Sequence, residues 1–220
     1  MIKELQELID KKENLSPFKF DGYYGIRLPE LRKIAKQIAK EKRYDFFEEN
    51  HTCFEEEIIH AYAIGYCKED INTLIAFIDK YIPRIKSWAT NDSLCQSIKF
   101  AKKYQKEVFD YLLTLAPKQD EWKSRVVSVT LLSHYLNDEY IDQVFIILDS
   151  LYKETYMSKM GIAWAIATCM AKYPKKTFEY LKTCSLDKWT YNKSLQKMIE
   201  SFRVKESDKL IIKTMKKAKY

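Results

Sequence analysis

The sequence predicts an all-α protein, and three observations carry that expectation: apolar residues recur at helical spacing, turn-forming residues are scarce, and alternating strands are absent. Leu28, Leu31, Ile34, Ala35 and Ile38 step by three and four. The same rhythm runs through Trp122, Val126, Val129, Leu132 and Leu136, through Tyr156, Met160, Ala163, Ala167 and Met170, and through Leu195, Met198, Ile199 and Phe202. That spacing places each set on one helix face. The 220 residues include only 4 Gly and 5 Pro. A sandwich or barrel would need many more tight turns than these supply.

The elements follow from the breaks. Pro29 belongs in the first turn of a helix, whereas Pro83, Pro117 and Pro174 fall between helices. The segments between breaks each hold a helix of about 10–18 residues, giving roughly a dozen with short connections. No linker or low-complexity stretch divides the chain, so residues 1–220 are expected to form a single domain. Helix pairs repeating at roughly 40–47 residues would be HEAT-like, an α–α superhelical solenoid. Trp88, Trp122 and Trp164, spaced 34 and 42 apart, are expected at comparable positions of successive repeats.

Composition narrows the function classes. At 46% hydrophobic and 31% charged residues the chain can bury a core, which excludes disorder. No run approaches the roughly 18 apolar residues of a membrane span. The N-terminal MIKELQELIDKK is amphipathic, unlike a signal peptide, so a soluble protein of a bacterial-type cytosol is expected. The five cysteines, at 53, 67, 95, 169 and 184, lack CxxC spacing and read as reduced, mostly packed thiols. Glu57 and His60 stand three apart, but one such pair is weak evidence for a metal, and a surface or satisfied core histidine is the plainer reading. No glycine-rich phosphate loop or nucleophile elbow is present.

Charge is unevenly placed. Residues 1–110 hold 19 Lys+Arg and 19 Asp+Glu, whereas residues 111–220 hold 19 against 12, which accounts for the whole net charge of +7. That asymmetry suggests a polyanion partner. Asp45, Glu48, Glu49, Glu55, Glu56 and Glu57 form an acidic stretch, which a protein-interaction scaffold could use for docking.

The residues that suggest chemistry lie in three helices. Trp88 and Asp92, four apart, share a helix face, and Trp122 and Arg125 are neighbours three apart on another. Trp164 lies in Lys159-Met160-Gly161-Ile162-Ala163-Trp164-Ala165, beside basic residues. Together they would offer aromatic walls, a carboxylate and a guanidinium.

With these motifs the sequence resembles the AlkD-like DNA-alkylation-repair glycosylases, which are HEAT-like solenoids. The resemblance starts at Tyr23-Tyr24-Gly25-Ile26-Arg27-Leu28-Pro29-Glu30-Leu31-Arg32 and passes through Trp88…Asp92, Trp122-x-x-Arg125 and the Tyr156–Ala165 segment. It ends at Thr190-Tyr191-Asn192-Lys193-Ser194-Leu195-Gln196-Lys197. It implies excision of positively charged N3- and N7-alkylated purines from duplex DNA without a deep base pocket, metal or cofactor. By position, Trp88 and Trp164 match the aromatic cleft walls, Asp92 the catalytic carboxylate, and Arg125 the backbone-gripping arginine, with Trp122 beside it. Arg27, Arg32, Lys159, Asn192 and Lys193 are candidate contacts to the DNA backbone, although Asn192 could equally begin a helix. The best-studied glycosylases carry a further acidic residue directly after the first Trp, where this chain has Ala89. The implied partner is damaged duplex DNA, bound by a monomer. The alternatives are a non-catalytic HEAT-like module gripping duplex or branched DNA, and the scaffold.

Overall fold

The computed structural model describes residues 1–11 and 22–216. Among them are twelve α-helices and no strand: α1 (Lys3–Lys11), α2 (Leu28–Glu41), α3 (Phe54–Tyr66), α4 (Ile71–Tyr81), α5 (Trp88–Ser97), α6 (Gln105–Leu115), α7 (Glu121–His134), α8 (Ile141–Ser150), α9 (Tyr156–Lys172), α10 (Pro174–Thr183), α11 (Lys188–Glu200) and α12 (Glu206–Thr214). Short 3₁₀ turns cover Tyr44–Phe47, Ile82–Arg84 and Lys99–Lys102. The all-α expectation holds. Pro29 and Pro174 open α2 and α10, where a missing N–H costs nothing, and Pro83 lies in the 3₁₀ turn after α4. The chain divides into two compact units, Met1–Val108 and Phe109–Tyr220, with the division inside α6.

In the first unit α3 is the central helix, packed between α2 and α5. Its run Ile58, Ile59, Ala61, Tyr62, Ala63 and Ile64 is buried almost all round, as a helix enclosed by others must be. By contrast α2 is amphipathic: Leu31, Ile34, Ala35 and Ile38 are buried, while Lys33, Lys36 and Lys40 face out. Gly65 makes the α3–α5 approach possible. A Cβ there would stand 2.1 Å from Ser97 Oγ and 2.6 Å from the Ser97 carbonyl carbon.

The second unit repeats the plan, with α9 between α7 and α11 and with α8 and α10 also against it. Ile162, Ala163, Ala165, Ile166, Ala167, Cys169 and Met170 are buried. Small residues keep α9 thin, and Gly161 lies so close to α7 that a Cβ would stand 2.5 Å from Ser128 Oγ.

The helix starts reveal the period. α3, α5, α7, α9 and α11 begin at Phe54, Trp88, Glu121, Tyr156 and Lys188, 32–35 residues apart rather than 40–47. An aromatic residue occupies the first or second position of each: Phe54, Trp88, Trp122, Tyr156 and Trp189. Trp164 lies in the middle of α9 and is out of phase with Trp88 and Trp122. The repeat is short because each pair holds two helices of 9–17 residues and tight connections.

Candidate nucleic-acid interface

In the first unit the α2 entry segment is built on a carboxylate. Gly25 adopts φ +88°, and the backbone N–H groups of Tyr24, Gly25 and Ile26 all point at Glu55 Oε1, at 2.9, 2.8 and 3.3 Å. Glu55 is fully buried, and burial pushes its pKa above the ordinary value despite those three bonds, which pull it down. Glu56 beside it accepts from the N–H groups of Ile2 and Thr52, both at 2.9 Å. Burial opposes its charge, yet these donors hold the carboxyl below its ordinary pKa. The acidic stretch is therefore not one docking surface, because two of its members are internal anchors. Glu57 pairs with Lys86 at 3.6 Å, and Lys80 pairs with Glu48 at 2.7 Å. Arg27 is exposed at the N-cap of α2. Arg32 donates to the Tyr62 hydroxyl at 3.1 Å and lies 4.9 Å from that ring's centre.

His60 is a core histidine, as its sequence context suggested. It is buried, stacks on Phe47 with ring centres 4.7 Å apart, and meets His51 in a 2.8 Å ring-nitrogen hydrogen bond. Burial pulls the pKa of His60 down to about 2 and that of His51 to about 4. Among the described residues no group of three or more His, Cys, Asp or Glu side chains is placed to hold a metal. No disulfide links any of the five cysteines, and Cys53, Cys67, Cys95 and Cys169 are buried.

Helix α5 carries the carboxylate. Ser87 caps it, accepting from the Thr90 N–H at 3.3 Å. Trp88, the first helical residue, keeps 57% of its surface exposed. Asp92 follows one turn later and is only 7% exposed. Asn91 Nδ2 donates to Asp92 Oδ1 at 3.1 Å, while buried Asn91 Oδ1 has no hydrogen-bond partner among the described residues. The cap and the Asn91 amide thus set the backbone and one carboxylate oxygen of Asp92, one turn after an exposed indole.

In the second unit Trp122 is half-buried near the start of α7, and Arg125 is buried one turn on. Two bonds tie α7 to the start of α9 and a third ties it to the connection before α9. Arg125 Nη1 donates to the Met157 carbonyl at 2.9 Å, Glu121 accepts from the Met157 N–H at 3.1 Å, and Ser124 Oγ donates to the Tyr152 carbonyl at 3.0 Å. Trp164 lines a groove of about 170 Å³ with Thr168, Lys197, Glu200, Ser201 and Arg203. Burial, with Lys193 and Arg125 nearby, pulls the Lys197 ammonium below its ordinary pKa. Sequence reasoning passed over Lys197, although Lys193 and Lys197, four apart, already marked a basic helix face.

Lys159 and Lys193 flank Trp189, at 5.9 and 6.0 Å from its ring centre. Trp189 was likewise missed; its signal was the aromatic recurring at helix starts. Asn192 is the fifth residue of α11 and does not begin it. Asp187 caps that helix, accepting from the N–H groups of Trp189 and Thr190, both at 3.1 Å. The structure thus places Trp88 and Asp92 one turn apart on α5 in the first unit, and groups Lys159, Lys193 and Trp189, with Lys197 beside Trp164, in the second.

Among the described residues no helix is long and apolar enough to cross a membrane. No curated protein and no solved structure matches the chain. A family model described as DNA alkylation repair enzyme matches residues 2–199, most of the chain, and this places it in DNA repair. The Trp88–Asp92 and Trp122–Arg125 pairs and the Trp164 helix all fall inside the matched span, and the chain belongs to the DNA alkylation repair enzyme family.

Proposed function

We propose that the chain is a base-excision glycosylase that releases positively charged N3- and N7-alkylated purines from duplex DNA, with Asp92 as its catalytic carboxylate. One observation carries this reading within the family: the exposed Trp88 indole stands one turn from Asp92 at the capped start of α5. An alkylated purine is already cationic and leaves readily with the glycosidic electron pair. The costly species is the sugar cation left at the anomeric carbon. A fixed carboxylate stabilises that charge and accepts a proton from the water that attacks there. The indole face adds attraction for the cationic base, stronger where water is excluded. Arg125, Trp122 and Trp164, with Arg27, Arg32, Lys159, Asn192 and Lys193, are proposed to hold the DNA; the cations would neutralise phosphates without reading sequence.

The test is base release from duplex DNA containing N7-methylguanine. Asp92→Asn should lower the rate roughly 100- to 1,000-fold, while DNA affinity stays close to that of the parent. A second reading, a non-catalytic module binding duplex or branched DNA, is favoured by the low exposure of Asp92 and by Ala89 standing where an acidic residue occurs in glycosylases. Tight DNA binding by the unmodified protein with no base release would establish that reading and end the first.

A further inference from the structure

We infer that Trp189 and Tyr156, with Lys159 and Lys193 beside them, form a stacking site for an unpaired nucleobase of single-stranded DNA. The inference rests on DNA binding but not on glycosylase chemistry. Tyr156 keeps 59% of its surface exposed and Trp189 40%, and the two rings meet edge to face with centres 5.8 Å apart. Two large aromatic side chains left exposed and in contact, at the starts of two adjacent helices, serve no core.

Helix-start contacts set the backbone beside each ring. The Trp189 backbone is held by the Asp187 cap, and Thr155 precedes Tyr156 as the N-cap of α9 with its hydroxyl 2.8 Å from that of Ser158. The charge around them favours a polyanion. Asp187 is engaged by the Trp189 and Thr190 N–H groups, by the Thr190 hydroxyl and, at 3.5 Å, by Lys159. Among the described residues, Lys193 hydrogen-bonds the neutral Gln196 side chain, at 3.0 Å. Both ammonium groups lie at the outer limit of cation–π contact with Trp189; on turning to a phosphate, Lys193 gives up a bond to a neutral amide, and Lys159 exchanges its pairing with Asp187 for another anion. Exposed aromatics flanked by lysines are the combination that binds single strands: every base has a face to stack, and the backbone beside it meets positive charge. Paired bases in a duplex keep their faces covered, which is why the site selects an unpaired one.

Fluorescence titration with a short single-stranded oligothymidylate, and with a duplex of equal length, tests the inference. Trp189→Ala should weaken single-strand binding roughly 10- to 100-fold, the range expected for losing one stacked base, and leave duplex affinity nearly unchanged. Trp189→Phe keeps a ring and should retain most of the single-strand affinity while losing the part of the tryptophan quenching that arises at this site. If the alanine variant unfolds, that loss of quenching decides the matter. Failure of the unmodified protein to bind the single strand, equal weakening of both ligands, or full quenching retained by Trp189→Phe would each overturn the inference. Asp92→Asn should leave every one of these titrations unchanged, so failure here and failure of base release are separable.

Discussion

The two units tie their helix entries differently: two buried glutamates hold the segments before α2 and α3 in the first, whereas Arg125 and Glu121 together hold α7 to the start of α9 in the second. In the first, Glu55 and Glu56 turn inward and collect backbone N–H groups from the segments before α2 and α3. In the second, Arg125 and Lys172 donate hydrogen bonds to the carbonyls of Met157 and Leu136, and Glu121 accepts from the Met157 N–H. Both units also seat a helical glycine against a serine of the neighbouring helix, Gly65 on Ser97 and Gly161 on Ser128. The difference teaches where each unit's charge goes. Carboxylates spent inside the first unit are unavailable to repel a polyanion, and the second has cations beyond those its packing needs.

The largest expected effect sharpens the glycine comparison. At Gly65 an added methyl meets the Ser97 backbone, which cannot step aside, so Gly65→Ala should destabilise by about 3 kcal/mol or more. At Gly161 the closest atom is a hydroxyl that can rotate, with Arg125 Cγ next at 3.3 Å. Gly161→Ala should cost only about 1 kcal/mol, because better helix propensity offsets the crowding. Denaturant unfolding of the two variants measures both values, and equal costs would show that the first approach is no tighter than the second.

Next comes the carboxylate anchor. Glu55→Ala leaves two buried N–H groups and a part-buried one without their acceptor and should cost about 3 kcal/mol, read as a lower denaturation midpoint. Lys172→Ala frees a single carbonyl, and the loss should be under about 1 kcal/mol. A milder asymmetry should appear with pH. His51 and His60 have folded pKa values depressed by burial, so the stability they contribute is complete above the unfolded value of about 6.5. It is lost as pH falls from there toward about 4, because the unfolded chain takes up the protons first. Glu56, also depressed, adds to the loss at lower pH. Hydrogen exchange should therefore show residues 1–108 loosening first on acidification, and His60→Phe should reduce that early loosening.

The smallest effect concerns the DNA side. Replacing Lys193 by Gln should lower the slope of log affinity against log salt by about one while leaving sequence preference unaltered. Replacing Arg32, already engaged by Tyr62, should change the slope less.

Much of this was written locally in the chain. The helical class, the place of Pro29 in a first turn and a structural part for His60 follow from residue type and spacing, whereas Pro174, expected between helices, is the first residue of α10. Trp88 and Asp92 were legible as a pair because four residues make one helical turn. The repeat length was misread, since Trp164 looked like a third phased aromatic when Tyr156 and Trp189 were the members in step. Asn192 looked like a helix start for a similar reason: a capping residue type carries no information about which nearby residue wins, and Asp187 captured the free N–H groups first.

By itself, then, the sequence determined that this protein is a run of short helices in pairs, basic toward its C-terminal half, with a tryptophan and a carboxylate sharing one turn. Periodicity and composition are properties of neighbours along the chain, so they can be read there. Only the tertiary structure decided that Glu55 and Glu56 face inward, that Arg125 is tied to the start of α9, and that Trp189 and Tyr156 meet in the open. Each of those outcomes depends on what stands across from a side chain in space, at separations of about 30 residues that no local pattern encodes.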